Sequence, residues 1–159
     1  MVKIVSNTGP LIALAQIGQF NLLQALFGQV VIPPAVRAEI LDDVSLAALT
    51  AAEWLMVQSP ADPLAVQVLR EELNAGESEA IVLAKEQSAE LLLIDERAAT
   101  RKARALGLPV IGTLGILLLG QKTGHLTTIK PHLKHLRRTG FRMSTELYAQ
   151  ALQAAGESE

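Results

Sequence analysis

Four apolar residues, Leu91-Leu92-Leu93-Ile94, end abruptly at Asp95, and a helix-like segment follows from Glu96. No other stretch constrains the chain as strongly. A short run that is apolar throughout fits a strand covered by helices on both faces, as in a parallel sheet. Asp95 then sits at the carboxyl end of its strand, where open α/β sheets place their ligands. The first residues have the same form. Lys3-Ile4-Val5-Ser6-Asn7 is a short apolar strand ending in an Asx residue, and a helical stretch follows Thr8-Gly9-Pro10. Side by side, the two strands bring Asn7 and Asp95 into one crevice.

The remaining segments alternate in the same way. Residues 11–17 and 21–27 read as short helices, the second closed by Gly28 as a C-terminal cap. Val30-Val31-Ile32 is a second strand, and Pro33-Pro34 opens a helix that runs to Leu41. Val36 and Ile40 share one face of that helix, with Glu39 beside them. Asp42-Asp43 breaks it; residues 45–53 are helical, and Leu55-Met56-Val57 forms an edge strand. A helix over 63–73 ends at Asn74-Ala75-Gly76, and a second, from Glu77 to Lys85, leads into the Leu91 strand. After it come a helix over 96–106 capped by Gly107, a last strand at Pro109-Val110-Ile111, and helices over 114–122, 129–138 and 144–154. The pattern predicts one α/β sheet with a helical C-terminal extension.

A chain of 159 residues is long enough for one domain with a sizeable core. Half the residues are hydrophobic but only five are aromatic, so that core is built from Leu, Ile, Val and Ala. There is no cysteine, which excludes disulfides, zinc–thiolate sites and thiol catalysis and fits a reducing cytoplasm. No signal-peptide pattern opens the chain. The apolar run over 108–120 is too short and too rich in Gly and Pro to span a bilayer, which needs about 20 residues. A soluble, cytoplasmic protein without a membrane partner is expected.

The net charge of −2 hides an asymmetry. Residues 1–90 carry four Lys/Arg against eleven Asp/Glu, and residues 91–159 carry ten against five. All ten of those bases and the three histidines lie between Arg97 and Arg142, where there is no acid. Such a block points either to an anionic partner or to pairing with the acidic half. The chain lacks a glycine-rich phosphate loop, which argues against a nucleotide-cofactor enzyme.

Four positions are candidates for one site: Asn7, Glu39, Glu79 and Asp95. Oxygen ligands from separate elements suit Mg²⁺ or Mn²⁺, hard ions that prefer carboxylates and water. Each also has an ordinary structural role to weigh against that. Asp95 would cap the following helix, and Asn7 would cap its own turn. Glu39 would be a solvated helix residue. Glu77 and Glu79 would complement a helix dipole, worth about 0.3–1 kcal/mol. Glu77 and Glu79 are two apart on a helix, so only one of them faces the crevice.

The segments Asn7-Thr8-Gly9-Pro10-Leu11-Ile12-Ala13-Leu14, Ile32-Pro33-Pro34-Ala35-Val36 with Glu39, Gly76-Glu77-Ser78-Glu79-Ala80-Ile81, Leu93-Ile94-Asp95-Glu96-Arg97 and Gly107-Leu108-Pro109-Val110-Ile111-Gly112-Thr113-Leu114-Gly115 resemble the successive motifs of the PIN domain family. The resemblance covers nearly the whole chain, in order and spacing, and is closest to a PIN-like branch with the same Gly-Thr-Leu-Gly segment. It implies a three-layer α/β/α PIN-like domain with a central, mostly parallel sheet of four or five strands. That domain would occupy residues 1–125, with a helical extension over 126–155 packed on it and a disordered tail over 156–159. It also implies a divalent-metal-dependent endoribonuclease, toxin-like, that hydrolyses RNA phosphodiesters with Mg²⁺ or Mn²⁺.

Carried over by position, the family's acids fall on Asn7, Glu39, Glu79 (with Glu77 as its competitor) and Asp95, as metal ligands and catalytic residues. Asn7 departs from the pattern: an amide oxygen can ligate a metal but brings no charge and accepts no proton. The alternative is therefore a catalytically inactive module that binds RNA or a protein. Arg97, Arg101 and Thr113 are the candidate RNA contacts. His125, His132 and His135 show no ligand pattern. RNA, an antitoxin-like protein and a second copy of the chain are the partners the resemblance implies.

Overall fold

A computed structural model describes residues 3–159. The chain runs β1 (Ile4–Ser6), α1 (Thr8–Gln16), α2 (Leu22–Phe27), β2 (Val30–Ile32), α3 (Pro34–Glu39), α4 (Asp43–Ala51), β3 (Leu55–Val57), α5 (Pro63–Leu69), α6 (Ala75–Glu86), β4 (Leu91–Leu93), α7 (Arg97–Ala105), β5 (Val110–Ile111), α8 (Thr113–Lys122), α9 (Lys130–Arg138) and α10 (Thr145–Ala154). The five strands form one sheet in the order β3-β2-β1-β4-β5, and every pairing is parallel. Helices flank the sheet in a three-layer α/β/α arrangement.

All-parallel sheets need cover on both faces, and the strand burial agrees. Each residue of β1 and β2 is buried, as are Leu92 and Leu93 of β4. Helix α6 packs on β1 and β4, and α3 and α5 pack on α6. Elsewhere α1 packs on α4 and α8, α2 on β2 and α8, and α7 on β5. Strand β3 lies at one edge, with Met56 and Val57 exposed. The core is aliphatic, and its largest fully buried side chains are all Leu or Ile. No helix among the described residues is long and apolar enough to cross a membrane.

Several helix boundaries differ from the sequence pattern: α1 begins at Thr8 rather than 11, α3 ends at Glu39 rather than Leu41, and α4 spans Asp43–Ala51 rather than 45–53. Helix α5 ends at Leu69 rather than 73, and α6 begins at Ala75 rather than Glu77. Asn74 does not terminate the first helix but caps the second: its side chain accepts from the Glu77 amide, and the Glu77 carboxylate accepts from the Asn74 amide. This reciprocal capping box satisfies two amides at once. Farther along, α10 buries Tyr148, Ala151 and Leu152 in the common core. Arg137 of α9 stacks over Tyr148 at 4.0 Å. Glu157 accepts from the amides of Ile129 and Lys130 at the start of α9.

Leu92 sits fully buried at the middle of β4, in register with Val5 on one side and Val110 on the other. Replacement by alanine should lower unfolding stability by about 2–5 kcal/mol, read from the shift of the urea midpoint at constant slope.

Candidate active site

The chain adds β2 and β3 on one side of β1, then crosses over to add β4 and β5 on the other. The order therefore reverses between β1 and β4, and a crevice opens at their carboxyl ends. The register pairs Ser6 with Leu93, and the Asn7 amide extends the ladder by donating to the Leu93 carbonyl at 2.8 Å. Asn7 and Asp95 consequently flank the crevice. A cavity of about 670 Å³ lies there, and Asn7, Glu39, Glu77, Asp95 and Glu96 are among the residues lining it.

Asp95 is anchored rather than used as a helix cap. Glu96 caps α7, accepting from the amides of Ala98 and Ala99. The Asp95 carboxylate instead accepts from the Thr113 amide at 2.8 Å through Oδ1 and from the Thr113 hydroxyl through Oδ2. Gly112 makes this possible, since a Cβ there would stand 2.7 Å from Oδ1. Burial raises the Asp95 pKa above the ordinary value, and the two Thr113 bonds only partly counter it.

Glu39 is not a free helix residue either. Its carboxylate accepts from the Thr8 hydroxyl at the start of α1 and from the Gly76 amide of α6 at 3.0 Å. A Cβ at Gly76 would come within 2.5 Å of Oε1, so only glycine permits this approach. One side chain thus ties three helices together.

Glu77 and Glu79 point to different places, as their spacing requires. Glu77 is buried and lines the cavity. Its pKa is raised by burial first, and then by the charges of Glu96 and Glu39. The Glu79 carboxylate accepts from the Ala35 amide in the first turn of α3 at 3.0 Å, and Glu79 is not among the residues lining the cavity.

Asn7 stands at the N-cap position of α1 with extended backbone, yet its side chain makes no capping bond. It is 5% exposed, and its Oδ1 is buried without a hydrogen-bond partner. Buried orphan acceptors are rare and cost about 1–3 kcal/mol. The expected turn-capping role therefore does not account for this side chain.

Among the basic candidates, Arg97 lines the cavity. Arg101 lines a separate surface pocket beside Glu72 and Lys102, which pair at 2.8 Å. Thr113 is fully buried, and its hydroxyl is directed to Asp95. None of the three histidines lines the cavity. Burial and the neighbouring His135 push His132 down. Among the described residues, no three acids or histidines gather tightly enough to hold a metal ion by themselves.

The ordered motifs, the switch-point crevice and the anchored acids agree with a comparison to protein families, in which a model described as a PIN domain matches residues 3–157. The chain belongs to the PIN domain family. A search of curated proteins finds no match. The PIN domain is a nuclease-type fold, and its members generally depend on divalent metal. Several partners in this PIN domain's site carry no local pattern in the sequence: the Gly76 amide, the Gly112 clearance and the rim residues Phe141 and Arg142. Of these, Gly76 and Gly112 lie in segments that resemble the family's motifs, and Phe141 and Arg142 do not.

Both anchors can be tested. Gly76→Ala should displace Glu39 from its amide and lower the melting temperature, while the far-UV spectrum stays native. In chelator, the raised pKa of Asp95 means the fold bears the cost of an ionised, buried carboxylate at neutral pH. Its contribution is most favourable below the unfolded value of about 3.9 and declines as pH rises through the folded value. Asp95→Asn should therefore melt higher than the wild type at pH 7, and the gain should shrink as the buffer is taken toward pH 4.

Proposed function

We propose that this PIN domain is a divalent-metal-dependent endoribonuclease of the toxin-like kind, with Mg²⁺ or Mn²⁺ as the ion and RNA as the substrate. One observation carries the reading: Asn7, whose buried Oδ1 has no hydrogen-bond partner, lines a cavity together with Glu39, Glu77 and Asp95. An amide oxygen without a donor is able to ligate a cation. The donor set is all oxygen, as a hard ion requires. Mg²⁺ keeps much of its water and takes one or two carboxylates plus substrate phosphate. The residues therefore fit a hydrated ion rather than one enclosed by protein.

Asp95, Glu39 and Asn7 would hold the metal. When bound, the ion would lower the pKa of its water and neutralise phosphoryl charge. The chain's own groups do the rest. Thr113 fixes the Asp95 carboxylate, while Thr8 and the Gly76 amide fix Glu39. Glu77, with its raised pKa, is a better proton acceptor than an ordinary glutamate. It takes the place that sequence position gave to Glu79, whose carboxylate serves α3. Arg97 would face the phosphate backbone. An antitoxin-like protein and a second copy of the chain are proposed partners on the family resemblance.

A second reading has its own support. Asn7 supplies no charge where an acid is expected, which favours a module that binds RNA or protein without cleaving. Calorimetry with Mn²⁺ on the wild type, Asn7→Asp and Asp95→Asn separates the two, alongside an RNA cleavage assay. The nuclease reading expects binding by the wild type, tighter binding by Asn7→Asp, and neither binding nor cleavage by Asp95→Asn. Thr113→Val, which removes a bond to a ligand and not the ligand, should weaken metal affinity by about 10–100-fold. No binding at millimolar Mn²⁺ by either the wild type or Asn7→Asp would sink the nuclease reading and leave the binding module.

A further inference from the structure

The cavity has two unlike halves. Asp95, Glu77 and Glu39 make one part of its lining acidic, while another part comes from the α9–α10 corner. Phe141 and Arg142, in the loop between α9 and α10, line the cavity together with Leu147 from the first turn of α10. The loop is held in place. Gly140 has φ +95, which turns the chain back, and the Phe141 amide donates to the Leu136 carbonyl at 3.1 Å. Phe141 is half-buried against the core, whereas Leu147 is 41% exposed.

Arg142 has no structural task that explains it. It is exposed, and among the described residues it makes no ion pair, although acids line the same cavity. It precedes Ser144, the N-cap of α10, so the positive end of that helix dipole offers it nothing. Arg97, the first residue of α7, lines the cavity from another element and is likewise unpaired among the described residues. Two arginines without an ion pair among the described residues and one aromatic ring, lining the same acid-bearing cavity, match one ligand chemistry. A nucleotide presents a phosphate to arginine and a base face to an aromatic ring.

We propose that the α9–α10 corner is a substrate-holding wall, in which Arg142, with Arg97, takes a phosphate adjoining the reacting one and Phe141 stacks an unpaired base of single-stranded RNA. The inference rests on the nuclease reading for its choice of RNA, and it assigns these side chains as positioning residues. A duplex keeps its bases stacked and cannot offer one to Phe141.

The test uses the full chain carrying Asp95→Asn, which the nuclease reading expects to be silent in cleavage and which has one negative charge fewer among the cavity residues. Binding of a fluorescein-labelled single-stranded RNA oligonucleotide is followed by anisotropy at several salt concentrations. Adding Arg142→Ala should weaken binding on the order of tenfold, as loss of a charged hydrogen bond does. It should also reduce the slope of log affinity against log salt by about 0.7. Adding Phe141→Leu, which keeps apolar bulk in the half-buried position, should weaken binding about fivefold or more with the slope unchanged. A duplex of the same sequence should not respond to Phe141→Leu. Arg104→Ala, an exposed arginine not among the cavity residues, is the control and should leave affinity within about twofold.

The wall is overturned if the oligonucleotide does not bind at low salt. It is also overturned if Arg142→Ala and Phe141→Leu both match their parent, or if Arg104→Ala costs as much as Arg142→Ala. If the wild type fails to cleave RNA with Mn²⁺ while binding keeps its dependence on Arg142 and Phe141, only the nuclease reading falls.

Discussion

The pairing of β1 with β4 is the interaction on which the rest of this molecule depends. These two strands lie far apart in the chain, yet Ile4 pairs with Leu91 and Ser6 with Leu93. They close the sheet at the point where its order reverses. Without that ladder there is no crevice, because each half of the sheet would present its strand ends to solvent separately. The Asn7 amide carries the ladder one step past the strand. The most polar part of the molecule is therefore continuous with its most apolar part, and the geometry of the one is set by the register of the other.

Around that seam, charge is tolerated only because it is restrained. Asp95 and Glu39 each accept one hydroxyl and one backbone amide. Both arrangements pair a threonine with a glycine that clears the way: Thr113 with Gly112, and Thr8 with Gly76. Glu77 is held through the capping box with Asn74. The threonine–glycine repetition is physical. A carboxylate near other carboxylates keeps its place only with donors at short range, and a glycine beside it removes the Cβ that would prevent such an approach. The raised pKa values of Asp95 and Glu77 show that the restraint does not remove the cost of gathering acids in a partly dry place.

The sequence disclosed the sheet through the strand–helix alternation as much as through the apolar runs themselves, since Ile116-Leu117-Leu118-Leu119, bounded by Gly115 and Gly120, is helical in α8. All five strands fall where those runs lie. It was less informative where one residue type serves two purposes. Asn74 can end a helix or begin one, and only the reciprocal bond with Glu77 decides. Which of Glu77 and Glu79 lines the cavity was not legible at all. It depends on the rotation of α6 about its axis, which is set by packing against α3 and by the bond from the Ala35 amide to Glu79. Asp95 lies just past the end of β4, as the apolar run indicated, but its release from capping duty depended on Glu96 taking over the cap. Arg142 lies far beyond Arg97 in the chain, and no spacing rule connects them.

The bond between the Gly76 amide and Glu39 has a consequence for how damage would show itself. Helices α3 and α6 share a broad contact, and this one bond lies across their junction. A small slip of one helix along the other would leave the aliphatic interior nearly intact, since leucine and isoleucine packing adjusts over fractions of an ångström. The carboxylate has no such latitude, because hydrogen bonds weaken steeply with distance and angle. Mild wear on this interface, from heat or from substitutions remote from the crevice, would therefore blunt the chemistry of the pocket well before it loosened the fold. The molecule would fail as a tool while still passing as a protein.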